Sequence, residues 1–194
     1  FSRKMKTNAI IILGPTSSGK TELSKALQEA FLPQVWLSFS VDSLIYSLPP
    51  SVLERCNKQD DWNGVDGNLL SMSAVSCLKC LLSSGNRVIF DTVIPSETRF
   101  TELQSALSEF RHYLVELKCE WKEIERRTSS RVDRSISEAS RSYKATTSHL
   151  KPDSVFDSSE LSASEMAERI LTQIDLKEKK ENQAAHTTPA SAPR

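Results

Sequence analysis

The chain has 194 residues, 38% hydrophobic and 26% charged, which is enough apolar material for one core and too much for a disordered or fibrous protein. Lys plus Arg and Asp plus Glu each number 25, and a net charge of zero excludes the basic footprint by which proteins hold nucleic acid nonspecifically. No apolar run approaches the ~20 residues that cross a bilayer and the amino terminus lacks a signal-peptide pattern, so a cytoplasmic protein with neither membrane nor nucleic acid as partner is expected, its oligomeric state left open. Cys56, Cys77, Cys80 and Cys119 do not space like a secreted disulfide framework, and reduced cysteines are expected.

Met5 follows Phe1-Ser2-Arg3-Lys4, so residues 1–6 are set aside as a remnant and disordered start. Residues 9–13, Ala-Ile-Ile-Ile-Leu, read as a strand buried on both faces. A glycine-bearing loop leads to a helix over 21–31, whose stripe of Leu23, Ala26, Leu27, Ala30 and Phe31 stops before Pro33. A second strand is expected over 35–41. Asp42 then stands as the N-cap of a short helix through Leu44, Ile45 and Leu48, which Pro49-Pro50 ends. Residues 51–67 are polar and read as a mobile insert with a short helical piece at most.

The alternation then repeats. A helix is expected over 69–82, a third strand over 87–90 ending at Asp91, a helix over 97–110 and a fourth strand over 113–119. A helix over 121–128 runs into an arginine-rich turn. A helix over 137–150, a short strand over 154–157 and a last helix over 163–176 complete one domain, residues 7–176. The end, 177–194, is too polar to offset its ordering entropy and reads as a disordered tail. Strands alternating with helices predict an α/β fold, a parallel sheet covered on both faces, with its ligand site outside the carboxyl ends of the strands. The segment 14–21, Asp42 and Asp91 all fall at such ends.

Gly14-Pro15-Thr16-Ser17-Ser18-Gly19-Lys20-Thr21 fits the phosphate-binding loop: two glycines, then lysine and a hydroxyl. Residue frequencies put a chance match below about one in a hundred chains of this length, so nucleotide binding is expected. The glycines let backbone N–H groups turn inward around phosphate oxygens, Lys20 reaches the outer phosphates, and the Thr21 hydroxyl suits Mg²⁺. Asn57-Lys58-Gln59-Asp60 spells a guanine-recognition tetrapeptide, but it sits in the polar insert rather than after a late strand, and reads as a solvated turn.

Asp42 is a helix cap or a base for an acceptor hydroxyl. Asp91 is a helix cap or the carboxylate that holds Mg²⁺ through water. Arg126, Arg127, Arg131, Arg134 and Arg141 follow the fourth strand, where a lid at about 126–141 would close over nucleotide; their planar forks suit transferring phosphate. The plainer reading pairs them with Glu123, Glu125, Asp133 and Glu138 on a solvated helix face. Cys77 and Cys80 read as core residues within an apolar helix rather than a metal or redox pair. His112, His149 and His186 share no motif with a nucleophile, and Trp62 could line an acceptor pocket.

The run Trp36-Leu37-Ser38-Phe39-Ser40-Val41-Asp42-Ser43-Leu44-Ile45 resembles the chloramphenicol phosphotransferase family. The likeness extends through the phosphate loop, the strand to Asp91, Arg131-Val132-Asp133-Arg134 and Asp157 with its hydroxyl neighbours, most of residues 7–175. It implies a P-loop kinase fold of the nucleotide and shikimate kinase type, with a five-stranded parallel sheet, similar to adenylate kinases and more distantly to zeta toxins. It further implies ATP and Mg²⁺ at Gly14, Pro15, Thr16, Ser17, Ser18, Gly19, Lys20 and Thr21. Asp42 is then the base for a small-molecule hydroxyl, and Arg131 and Arg134 are lid arginines at the phosphates, with Arg127 on the nucleotide. Thr92 stands where the family tends to carry a second acid. Alternatives are a nucleotide-binding module without catalysis that acts through a protein partner, and a zeta-toxin-like kinase acting on a nucleotide sugar.

Overall fold

The computed structural model describes residues 5–131, 134–145 and 151–187. Its strands are β1 (Ala9–Leu13), β2 (Leu37–Ser40), β3 (Val88–Thr92), β4 (His112–Lys118) and β5 (Ser154–Asp157). Its helices are α1 (Lys20–Ala30), α2 (Val41–Ile45), α3 (Pro50–Gln59), α4 (Gly67–Ser83), α5 (Glu97–Leu107), α6 (Trp121–Ser129), α7 (Ile136–Lys144) and α8 (Ala163–Thr187). The strands form one sheet in the order β2-β3-β1-β4-β5, every pair parallel. Among the described residues no helix is long and apolar enough to cross a membrane.

The central strand β1 is wholly buried, which is why it carries no polar residue. Its alternate side chains point to opposite faces. Ile10 and Ile12 pack with Leu23 and Leu27 of α1 and with Met166, Ile170 and Ile174 of α8. Ala9, Ile11 and Leu13 pack with Ala74 and Leu78 of α4 and with Phe100 and Leu103 of α5. Because β1 lies between β3 and β4, the chain leaves it at the point where strand order reverses, and a crevice opens there.

Several expected boundaries move, each for a physical reason. Pro50 does not merely end the preceding helix; it occupies the first turn of α3, where a missing N–H costs nothing. The segment 51–67 is therefore not a mobile insert: α3 fills its first half and buries Cys56. Asp66 caps α4 by accepting from the N–H groups of Asn68 and Leu69 at 2.9 and 3.0 Å, so that helix starts two residues early. Cys77 and Cys80 are exposed, not core, because α4 is apolar all round and periodicity could not select its buried side. The helix expected over 137–150 is described only as far as Lys144, and Val132, Asp133 and His149 lie outside the described residues.

Residues 5–6 and 177–187, expected to be disordered, are ordered in the fold. Met5 packs on the core, and α8 runs on through Thr187 rather than stopping at Leu176. Glu178, buried on α8, accepts from the N–H groups of Lys6 and Thr7 at 2.8 and 2.7 Å and from the Thr7 hydroxyl at 2.9 Å. Lys177 pairs with Asp153 and Arg111 with Glu181, both at 2.7 Å. These contacts join the segments that lead into β1, β4 and β5 to residues 177–181 of α8 and order a helix whose composition alone would not. Glu178→Ala leaves two backbone donors without their carboxylate and is expected to destabilise the fold by about 2 kcal/mol. Urea unfolding would read this as a lower midpoint at unchanged slope; an unchanged midpoint would mean that the polar end of α8 contributes nothing.

Candidate active site

The loop after β1 tightens around its glycines. A Cβ at Gly14 would sit 2.5 Å from the Leu117 carbonyl oxygen, so only glycine lets the loop pass this close to β4. Ser17 and Gly19 take positive φ, 63° and 93°, which alternates backbone handedness and turns successive N–H groups inward to make an anion cradle. Helix α1 begins at Lys20 and aims its positive end at the same point. The Lys20 ammonium is buried and donates to the carbonyls of Gly14 and Pro15 at 3.0 and 2.7 Å. Burial pulls its pKa down, and the nearby Asp91 and Asp42 oppose that shift.

Two carboxylates face this lysine in different surroundings. Asp42 lies in the first turn of α2 and is not its cap; Ser40 takes that position, with its N–H donating to the Ser43 hydroxyl at 3.2 Å. The Asp42 side chain is 35% exposed and pairs with the Arg134 guanidinium across the cleft. Asp91 lies inside β3 rather than just after it, 8% exposed. Burial pushes its carboxyl up to about 6; Lys20 resists that rise and Asp42 adds to it.

From the other side come α6, α7 and the turn after β5. Arg127 donates to the Ser158 hydroxyl and carbonyl at 3.1 and 2.8 Å and to Glu123 at 2.7 Å, which holds its fork beside Gly19. Arg134 is held on its second nitrogen by Glu138 at 2.9 Å. Ser142 of α7 accepts from the Thr16 N–H at 2.9 Å, and Thr128 donates to the Ser17 hydroxyl at 2.9 Å, so both helices are docked on the loop itself.

These elements enclose a cleft of about 820 Å³. Thr16, Ser17, Gly19, Lys20, Thr21, Asp42, Asp91, Arg127, Arg131 and Arg134 all line it. Gly14 and Pro15 instead line a second cavity behind the loop, and Ser18 is wholly buried with its hydroxyl unpartnered among the described residues; these three shape the cradle and do not face the cleft. Arg126 pairs with Glu123 on its own helix and Arg141 with Asp60, so the plainer reading holds for Arg126. Pro95, whose segment the sequence reading expects to shape the acceptor site, lines the same cleft, whereas sequence reasoning missed Asn68, Ser71 and Arg99. No local pattern marks them, because α4 and α5 bring them together only in the fold.

A cavity with a phosphate cradle at one end, a buried lysine, two carboxylates and converging arginines can orient a phosphoanhydride and transfer its terminal group. Residues 7–175 match the chloramphenicol phosphotransferase-like protein family. The chain belongs to that family. It is a kinase of the P-loop fold. Among solved structures it is similar to the Mycobacterium tuberculosis APS kinase in complex with AMPPNP and APS, at 12% identity over 88% of this chain and 99% of that one, TM-score 0.66. A sugar kinase from Janibacter sp. is 18% identical over 87% and 95%, TM-score 0.63. The Acinetobacter baumannii shikimate kinase in complex with shikimate is 16% identical over 90% and 96%, TM-score 0.58. These distant likenesses show the fold: this phosphotransferase shares the parallel sheet and its covering helices with kinases of varied acceptors. No curated protein matches the chain.

Proposed function

We propose that this phosphotransferase moves the γ-phosphoryl group of ATP to a hydroxyl of a small, uncharged, largely apolar acceptor. The convergence of Lys20, Asp42, Asp91 and Arg134 on one cleft carries the reading. The loop from Gly14 to Thr21 holds the phosphates, Lys20 and the lid arginines Arg131 and Arg134 meet charge on the transferring group, and Arg127 lies along the nucleotide. Asp42 orients the acceptor hydroxyl and takes its proton once Arg134 turns from it to phosphate.

The Thr21 hydroxyl and the Asp91 carboxylate are hard oxygen donors of the kind Mg²⁺ uses while it keeps several waters. Burial that holds Asp91 up to about 6 leaves a carboxylate that gains from a cation beside it, so the residues fit the metal. Held by these two residues, Mg²⁺ would neutralise phosphate charge. Four free cysteines among the described residues and the need for ATP suit a cytoplasmic enzyme.

The far end of the cleft decides the acceptor class. Away from the phosphate loop and the lid arginines the cleft is lined by Val41, Ile45, Asn68, Ser71, Val93 and Pro95 and by Arg99, which pairs with Glu102 at 2.6 Å. Sharing Ser71, Val93, Pro95 and Arg99 with the cleft is a neighbouring pocket of about 220 Å³ between α4 and α5, whose apolar wall is Met72, Val75, Ile94 and Leu103. A cavity of about 150 Å³ with such walls takes up benzene, so this pocket suits an aromatic ring or branched chain, and chloramphenicol is one candidate. The paired arginine offers little to the diphosphate of a nucleotide sugar. Mass spectrometry of reactions containing Mg·ATP and either chloramphenicol with other neutral aromatic alcohols or a nucleotide-sugar pool tests this. A phosphorylated neutral alcohol is expected; a phosphorylated nucleotide sugar, or no product from either pool, would overturn the acceptor class.

A further inference from the structure

Asp60 is the last residue of the tetrapeptide Asn57-Lys58-Gln59-Asp60, whose other members lie on α3. It ends that helix in the left-handed conformation, φ 50°, which aspartate tolerates. Its carboxylate is not solvated like an ordinary turn. Oδ2 accepts from the Ser137 hydroxyl and from Arg141 Nη1, both at 3.0 Å, and Oδ1 accepts from Arg141 Nη2 at 3.1 Å. The Trp62 indole N–H donates to Oδ1 at 3.3 Å. The two-pronged contact with Arg141 fixes direction as well as distance, and it lowers the pKa of Asp60 and raises that of Arg141.

Ser137 and Arg141 lie one turn apart on α7, and Glu138 lies between them on the same helix. Glu138 grips Arg134, and Arg134 reaches Asp42. A side chain at the end of α3 thus clamps the helix that aims an arginine into the cleft. We infer that Asp60 is a positioning residue for phosphoryl transfer: through Ser137 and Arg141 it sets α7, and through Glu138 it sets Arg134 for the terminal phosphate. The inference rests on the nucleotide reading given above.

The contact is exposed on the Arg141 side, 61%, and pairs of that kind contribute little to stability. An effect on nucleotide recognition therefore separates from an effect on folding. The test is calorimetric titration of Mg·AMPPNP and Mg·ADP into the wild type, Asp60→Asn, Arg141→Met and the double variant, with thermal melting of each. Each single change is expected to weaken AMPPNP about tenfold, in the usual range for coupled sites. ADP, which lacks the group Arg134 meets, should be weakened by less than about twofold. The double variant should be no weaker than either single one, because both remove one interaction. AMPPNP affinity unchanged by either substitution, equal weakening of both nucleotides, or losses that add in the double variant would each overturn the positioning role. A wild type that binds neither nucleotide would overturn the nucleotide reading, and this inference with it.

Discussion

Asp42→Asn is expected to lower kcat by about 10² to 10⁴-fold, the span typical of losing a general base, and to leave ATP affinity within about twofold of the wild type. The substitution keeps size and one carbonyl oxygen, so the capping of α2, which belongs to Ser40 and Ser43, is untouched. What it removes is the charge that holds Arg134 and the carboxylate proposed to accept the hydroxyl proton. Arg134 then loses its partner across the cleft and is, if anything, readier to meet phosphate. Arg134→Lys gives a different signature. Lysine keeps the charge but cannot bridge Glu138 and phosphate with one planar fork, so both kcat and the affinity for ATP should fall. Steady-state kinetics with calorimetric ATP binding separates the two variants. Near-normal turnover in Asp42→Asn would mean that the proton leaves by another route and that the carboxylate serves only to hold Arg134.

What could be read from the sequence, and what could not, divides by the distance over which each feature is determined. The apolar run of β1, the glycines after it and the stripe of α1 are local, and the structure places them where their residues imply. The strand read over 154–157 spans Ser154–Asp157, since flanking turn residues bracket it. Lys20, Asp42 and Asp91 were legible as candidates because each follows an apolar strand pattern. Their electrostatic roles were not: Asp42 meets Arg134 across 92 positions, and Asp91 differs from Asp42 by burial, which no motif encodes. The order of α8 beyond Leu176 depends on Glu178 reaching Thr7 across 171 positions, so a compositional reading of that polar stretch had no access to its stabilising contacts. Asp60 shows the converse. Its local string reads as a solvated turn, and the fold gives its carboxylate to Arg141.

The two carboxylates of the cleft divide by environment, and the division has a consequence for stability. Asp42 is partly exposed and paired with Arg134, whereas Asp91 is forced toward its protonated form by burial. A carboxyl at about 6 in the fold and 3.8 when unfolded imposes no cost below pH 3.8, where both states are protonated. Between those values the unfolded chain ionises first, and stability falls as pH rises; above pH 6 the full cost is present.

Asp91→Asn is therefore expected to make the ligand-free protein more stable at pH 7.5, by up to about 3 kcal/mol from a shift of roughly two pH units, or up to about 6 to 12 °C in Tm for a chain of this size. The gain should shrink as pH falls to about 4.5, because the wild type then sheds its own penalty. Lys20 works against this, since its charge already favours the ionised Asp91, but burial outweighs it. Function should move the other way. Mg·ATP stabilises whatever binds it, so the wild type should gain more from Mg·ATP than the variant, and phosphoryl transfer by the variant should fall by at least about 10²-fold if, as proposed, Asp91 is the carboxylate that holds Mg²⁺. Melting curves across this pH range, with and without Mg·ATP, read both effects together. A variant less stable than the wild type at pH 7.5 would show that Asp91 stays charged and paired to Lys20 in the fold; a variant equally stabilised by Mg·ATP would remove Asp91 from the metal site.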